Sequence, residues 1–171
     1  RVPAVISYPK LFPQGETRDQ AIVNLDILPT ICEILDIPKP KNKLDGKSIL
    51  DIIKSDEAKS PHEVLHWMWQ GMWAVRKGNW KLIYDGHDTT GKFSIHPEKE
   101  FEMPEYYLAN LDDEKPEEIN YALKEPKILK ELLALHQSWA KDVFEGSGYH
   151  DPNSAEGKEE KIVKTKGTTK L

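Results

Sequence analysis

The chain has 171 residues and a single cysteine, Cys32, which excludes an internal disulfide and a cysteine-rich zinc site. It lacks any apolar run approaching the roughly 20 residues that a membrane-spanning helix needs. Its net charge is −5, and no basic stripe indicates a nucleic-acid partner. No nucleophile elbow or phosphate-binding glycine-rich loop occurs. The remaining composition, 38% hydrophobic and 31% charged, is that of a globular protein with a sizeable core.

The tryptophans are concentrated in one segment. Four of the five, Trp67, Trp69, Trp73 and Trp80, lie within 14 residues of each other. Residues 73–85 alternate apolar and polar side chains around a turn at Lys77-Gly78-Asn79, which predicts two antiparallel strands in a hairpin. Because a sheet must bury one face against other structure, we predict that most of these rings lie in the core.

The C-terminal half has the pattern of an α+β fold. Alternation predicts one strand over residues 63–69, the two strands of the hairpin, and a fourth strand over residues 106–111. A helical period from about Pro126 to Phe144 predicts a long amphipathic helix, with Pro126 in its first turn. We therefore predict a four-stranded antiparallel sheet with this helix packed across one face.

The N-terminal third has a different pattern. Ala4 to Tyr8 is a short apolar run between prolines, which predicts a buried strand. Asp26 is a candidate N-cap for a helix that ends before Pro38, and a second, shorter helix is predicted from Ser48. A strand that is apolar on both faces is typical of a parallel sheet covered on both sides. The strands beside it are not predicted anywhere else in this chain.

Five segments, in order, resemble the C-terminal part of the type I, formylglycine-dependent sulfatases. Four of them match the family patterns R-V-P-x-I-x-x-W-P, D-x-x-P-T, x-D-G-x-S-L and L-Y-D-L-x-x-D-P-x-E-x-x-N-L-A. The fifth, which reads W-A-V-R-K-G-N-W-K-L-I in this chain, resembles the hairpin of the family. The matching segments are Arg1–Pro9, Asn24–Thr30, Leu44–Ile49, Trp73–Ile83 and Tyr106–Ala122. Each match is short, but together they cover roughly residues 1–144 in the family's order.

The resemblance implies a division of the chain. Residues 1–54 are expected to be the last strand and helices of a truncated sulfatase α/β domain, and residues 55–61 a linker. Residues 62–145 are expected to form the sheet-and-helix subdomain. Residues 146–171, which are polar and rich in Lys and Glu, are expected to form a disordered tail.

The resemblance also implies a parent enzyme that hydrolyses sulfate esters with a formylglycine nucleophile and calcium. Its substrate would be a sulfated carbohydrate or an aryl sulfate, and the parent would be periplasmic or secreted. In the family the formylglycine motif C-x-P-x-R and the calcium ligands precede the R-V-P segment. Cys32 is followed by Glu33-Ile34-Leu35 and does not fit that motif. The fragment itself is therefore expected to contain no catalytic residue and no metal ligand, and to be inactive.

Four residues are candidates for substrate contact. Trp73 lies near a hairpin end, where an aromatic ring could stack on a sugar, although packing in the core is the alternative. His87, Lys92 and His96 lie in the long segment between Gly86 and Pro104, which is predicted to be an irregular loop of the kind that often carries binding groups. The alternative for these three is a solvated loop.

Two other functions are compatible with the sequence. One is a phosphonate or phosphodiester hydrolase of the alkaline-phosphatase-like superfamily, which shares the overall fold with sulfatases. The other is a free-standing glycan-binding or interaction module that uses the tryptophan-bearing sheet. The upstream sequence would distinguish the first, and glycan binding by the chain alone would favour the second.

Overall fold

The computed structural model describes residues 2–69, 71–84 and 106–145. The chain divides between Glu63 and Val64 into two compact units, which are called here the N-terminal unit and the C-terminal unit. The predicted loop between Gly86 and Pro104 and the predicted tail 146–171 lie outside the described residues.

The N-terminal unit contains two short helices. A single 3-10 turn, Asn24–Asp26, leads directly into α1, Ile27–Ile34, and α2 spans Leu50–Lys54. Both helices were predicted. The side chain of Asp26 does not cap α1, contrary to the prediction, because its carboxylate binds other groups of the N-terminal unit.

The strand predicted over Ala4 to Tyr8 is not formed among the described residues. No strand is present over residues 2–8, and Val5 is 94% exposed. An apolar segment forms a strand only where a neighbouring strand accepts and donates its backbone hydrogen bonds. No such neighbour lies in the described part of the N-terminal unit.

The C-terminal unit is built on a four-stranded antiparallel sheet, as predicted. Its strands are β1, Val64–Trp69, β2, Met72–Lys77, β3, Trp80–Tyr84, and β4, Tyr106–Asn110. They pair in the order β1-β2-β3-β4. The turns that join β1 to β2 and β2 to β3 each contain a glycine with positive φ, at 88° for Gly71 and 56° for Gly78. Glycine adopts this conformation without the steric cost of a Cβ atom.

A long helix, α3, Pro126–Phe144, covers one face of the sheet. Its bounds and its proline in the first turn are as predicted. Leu132 of α3 is buried against Val75, Leu82 and Leu108, which lie side by side on β2, β3 and β4. Helix α3 and this sheet face therefore form the core of the C-terminal unit.

Candidate functional site

Trp73 lies in that core. Its side chain is 5% exposed, and its indole stacks on the imidazole of His136 from α3, with the ring centroids 3.8 Å apart. The phenol ring of Tyr84 lies 5.4 Å from the same indole and nearly parallel to it. A ligand could reach this ring only if the core opened, so Trp73 serves packing in this structure. His87, Lys92 and His96, the other predicted contacts, lie outside the described residues.

A second histidine completes an aromatic cluster between β1 and α3. His66 stacks on the indole of Trp139, with the centroids 4.8 Å apart and the rings almost parallel, and lies 6.0 Å from His136. Burial, together with the positive charge that His136 would carry, lowers the pKa of His66 to about 4. Within the described ranges, the Nδ1 atom of His66 is buried without a hydrogen-bond partner. The surroundings of His66 therefore favour its neutral imidazole over the protonated form.

The opposite face of the sheet carries exposed aromatic rings. We call it the outer face, and it consists of alternate residues that point away from α3: Leu65, Trp67, Trp69, Met72, Ala74, Arg76, Lys81, Ile83, Tyr107 and Ala109. Trp67 is 43% exposed and Trp69 is 61% exposed. The prediction that most tryptophan rings lie in the core is therefore wrong for these two.

Two cations lie on the same face, towards the end of the sheet away from Trp69. Arg76 and Lys81 are paired across β2 and β3 in the row next to Trp67 and Ala74. The ammonium of Lys81 lies 2.5 Å from a carboxylate oxygen of Glu117, which offsets its charge. Arg76 donates from Nε to the carbonyl oxygen of Gly78 at 2.9 Å. A guanidinium has five N–H donors, so Arg76 retains donors for a further acceptor.

A polar node in the N-terminal unit is centred on Asp26, which is fully buried. Its Oδ1 accepts hydrogen bonds from the backbone N–H of Lys47 at 2.8 Å and from Nε2 of His62 at 2.7 Å. Its Oδ2 accepts from the backbone N–H of Val23 at 2.9 Å. Buried carboxylates are stable only with such partners. The three donors come from separate segments of the chain, and their hydrogen bonds to Asp26 hold these segments together. The role of the node is therefore structural.

Nothing in the described part of the chain fits a catalytic metal or a formylglycine. Within residues 2–69, 71–84 and 106–145, no group of three or more His, Cys, Asp or Glu side chains could hold a metal ion. Cys32 is buried on α1 and lacks the Pro and Arg of the formylglycine motif. Among the described residues no helix is both long and apolar enough to cross a membrane.

Comparisons with known proteins identify the relatives of this chain. A family described as N-sulphoglucosamine sulphohydrolase, C-terminal, matches residues 1–142. An uncharacterised sulfatase of Schizosaccharomyces pombe is 30% identical over 142 residues, which are 78% of this chain and 24% of that protein. Human arylsulfatase D is 31% identical over 57% of this chain and 17% of its own length. Human steryl-sulfatase is 29% identical over 38% of this chain and 11% of its own length.

A solved structure is also similar. It was described with the metabolism of multiple glycosaminoglycans by Bacteroides thetaiotaomicron, has 22% identity and a TM-score of 0.49, and covers 66% of this chain and 24% of that chain. The chain thus spans about a quarter or less of the length of each of these relatives.

Proposed function

The chain belongs to the family of N-sulphoglucosamine sulphohydrolase C-terminal regions, and from this premise we propose that it is the C-terminal part of a sulfatase that hydrolyses sulfate esters. The match of the family over residues 1–142 is the observation that carries the proposal. The relatives named as sulfatases support it, because two of them align over more than half of the chain.

The catalytic groups of this sulfatase would come from other parts of the polypeptide. A formylglycine nucleophile and a calcium ion are implied by the family resemblance. The described residues contain no group of three or more His, Cys, Asp or Glu side chains that could hold a metal ion. We therefore propose that residues 1–171 alone are inactive. Their contribution would be a rigid sheet-and-helix unit, whose core is formed by Trp73, Leu82 and Leu132 among others.

The proposed substrate is a sulfated carbohydrate, and the proposed location of the parent protein is the periplasm or the cell exterior. The family is described by a sulfated sugar, which supports a carbohydrate. The sulfate of that sugar is attached to nitrogen, whereas steryl-sulfatase and arylsulfatase D are named for steryl and aryl sulfates, so an aryl sulfate is the second substrate class to assay.

The test compares residues 1–171 with the longer polypeptide that contains them. Sulfate release would be measured from p-nitrophenyl sulfate and from a sulfated glycosaminoglycan disaccharide, with a bis-aryl phosphodiester as the control substrate. We expect sulfate release by the longer polypeptide only, and a C-x-P-x-R motif upstream of Arg1. Turnover by residues 1–171 alone, or a preference for the phosphodiester, would contradict the proposal.

A further inference from the structure

Histidine and tryptophan rings stack where the C-terminal half of α3 meets β1 and β2. We propose that His66 and His136 form an acid-sensitive latch, which holds this half of α3 against the sheet while both imidazoles are neutral and releases it when a proton binds. The latch lies between α3 and the sheet of the C-terminal unit, and it is independent of the proposed hydrolysis of sulfate esters.

Each histidine packs against an indole across the boundary between α3 and the sheet. His66 of β1 stacks on Trp139 of α3, with the ring centroids 4.8 Å apart and the planes 3° apart. His136, which precedes Trp139 by three residues on α3, stacks on Trp73 of β2, with the centroids 3.8 Å apart and the planes 10° apart. Residues three apart are neighbours on the surface of a helix, so both stacks lie on the same side of α3. The four rings therefore join this part of α3 to two strands.

The closed arrangement disfavours a proton on His66. An imidazolium has two N–H donors, whereas, within the described ranges, Nδ1 of His66 is buried without a hydrogen-bond partner. The centroids of His66 and His136 are 6.0 Å apart, so two positive charges there would repel each other. Attraction between a protonated ring and the face of Trp139 offsets part of this cost. Burial first, and then the charge of His136, lowers the pKa of His66 to about 4.

Other titratable groups also face α3 from the sheet. They are Lys77 on β2, Tyr84 on β3 and Tyr106 on β4, whereas β1 places only apolar side chains beside His66 on this face. The ammonium of Lys77 binds a carboxylate oxygen of Glu131 on α3 at 2.8 Å. Burial and His136, rather than these groups, lower the pKa of His66. The remaining charged residues of α3 are exposed, and they are Lys127, Lys130, Lys141 and Asp142.

Release is expected to be confined to the C-terminal half of α3. The N-terminal half is held by Leu132, which is 1% exposed and belongs to the core of the C-terminal unit. Beyond His136, Trp139 and Ala140 lie against the sheet side of the helix, whereas residues 141–143 are exposed. Loss of the stacked rings would therefore free the last turns of α3 and leave the core in place.

The direction of the pH response follows from His66. In the closed state the pKa of His66 is about 4, and in the released state the side chain regains its ordinary pKa of 6.5. The released state therefore binds a proton more readily, and release is favoured progressively as pH falls from about 6.5 towards 4. At neutral pH the latch is closed.

The experiment measures hydrogen exchange of the full 171-residue chain by NMR at pH 6.5 and at pH 4. After correction for the intrinsic effect of pH on exchange, the amides of Ala140, Lys141 and Asp142 should exchange about tenfold faster at the lower pH. One pKa unit corresponds to a factor of about ten, and solvent screens part of the full pKa difference. Low concentrations of urea should not accelerate these amides, because a local opening exposes little surface. Urea should accelerate Leu132, whose amide exchanges only when the whole unit opens.

Two variants separate the latch from other effects of acid. His66→Phe keeps a flat ring against Trp139 but removes the titrating group, so the acceleration at residues 140–142 should fall below about twofold. His62→Gln removes a histidine of the N-terminal unit and should leave the tenfold acceleration intact. If His66→Phe does not fold, His66→Gln takes its place with the same expectation.

Four outcomes would overturn the proposal. They are unchanged exchange at residues 140–142 at pH 4, an equal acceleration in the His66 variant, a urea dependence as steep as that of Leu132, and an NMR titration of His66 with a pKa at or above its ordinary 6.5. The third would show that His66 takes up its proton only when the whole unit unfolds. The fourth would show that stacking on Trp139 stabilises the imidazolium. None of these measurements depends on sulfate release, so failure of the proposed function would leave the latch standing.

Discussion

The two units of the chain differ in how far their helices bury apolar side chains. In the C-terminal unit, α3 covers one sheet face and buries Trp73, Leu82 and Leu132. In the N-terminal unit, α1 exposes much of its apolar surface. Its exposed apolar side chains, together with those that flank it, are Leu25, Ile27, Leu28, Ile31, Leu35 and Ile37. The difference shows that a helix is stabilised by the surface it covers: α3 has a sheet to cover, whereas α1 contacts mainly a 3-10 turn and α2.

The first prediction tests the core of the C-terminal unit and has the largest expected effect. Trp73→Ala removes an almost fully buried indole together with its contacts to His136 and Tyr84. We expect the free energy of unfolding of this unit to fall by about 3–5 kcal/mol. Thermal or denaturant unfolding, followed by circular dichroism, would measure it. Trp69→Ala is the matched control on the outer face, and an equal loss in both variants would show that the two faces are packed equally.

This difference between the faces is what the sequence could not predict. Alternation predicted β1 correctly, but its two faces carry Leu65, Trp67 and Trp69 on one side and His66 and Met68 on the other. Hydrophobicity alone therefore favours burial of the side with Leu65, Trp67 and Trp69, whereas α3 covers the other side. The pairing of Met68 with Trp73 decides which side of β1 faces α3, since β2 and β3 place Val75 and Leu82 on the face that α3 covers.

The hydrogen-bond partners of Asp26 in the N-terminal unit could not be predicted from the sequence either. Asp26 has the residue type of an N-cap, and local pattern predicts it to bind the first turn of α1. In the structure its partners include Lys47 and His62, which are 21 and 36 residues away in the sequence. Only tertiary structure brings such donors together. Periodicity, by contrast, predicted α1, α2 and α3 because each depends on nearby residues.

The second prediction concerns Gly46, which lies at a tightly packed position of the N-terminal unit. A Cβ atom at Gly46 would lie 2.0 Å from the carbonyl oxygen of Leu25, so Gly46→Ala must displace backbone. We expect a loss of about 1–3 kcal/mol in the free energy of unfolding of this unit. Hydrogen exchange at the amides of Lys47 and Ile49 would report it. Asp45→Ala, at the exposed neighbouring position, should have little effect, and unchanged exchange in Gly46→Ala would show that the loop is not held against Leu25.

The third prediction concerns how the stability of the C-terminal unit depends on pH. Since the pKa of His66 is about 4 in the folded state and 6.5 for the unperturbed side chain, the unfolded chain binds a proton more readily. The C-terminal unit should therefore lose stability as pH falls from about 6.5 towards 4. Other groups on the same sheet face are Lys77, Tyr84 and Tyr106, and His136 faces it from α3.

The expected loss is about 1–2 kcal/mol, smaller than the pKa difference implies, because His66 is only half-buried and solvent screens its charge. Melting temperatures between pH 7 and pH 4 would measure it. His66→Gln should flatten this pH dependence, while His62→Gln should not, because His62 lies in the N-terminal unit. An equally steep loss of stability in His66→Gln would assign the effect to other groups.

The smallest predicted effect concerns the surface that joins β2 to α3. The ammonium of Lys77 lies 2.8 Å from a carboxylate oxygen of Glu131, and both side chains are substantially exposed. Water and salt screen such a pair, so a double-mutant cycle with Lys77→Ala and Glu131→Ala should give a coupling of about 0.2–1 kcal/mol. Raising the salt concentration to about 1 M, where the screening length is about 3 Å, should reduce this coupling. A coupling above that range, insensitive to salt, would mean that α3 depends on this ion pair as well as on the apolar core. The contrast between a helix that covers a sheet and one that does not would then rest partly on charge.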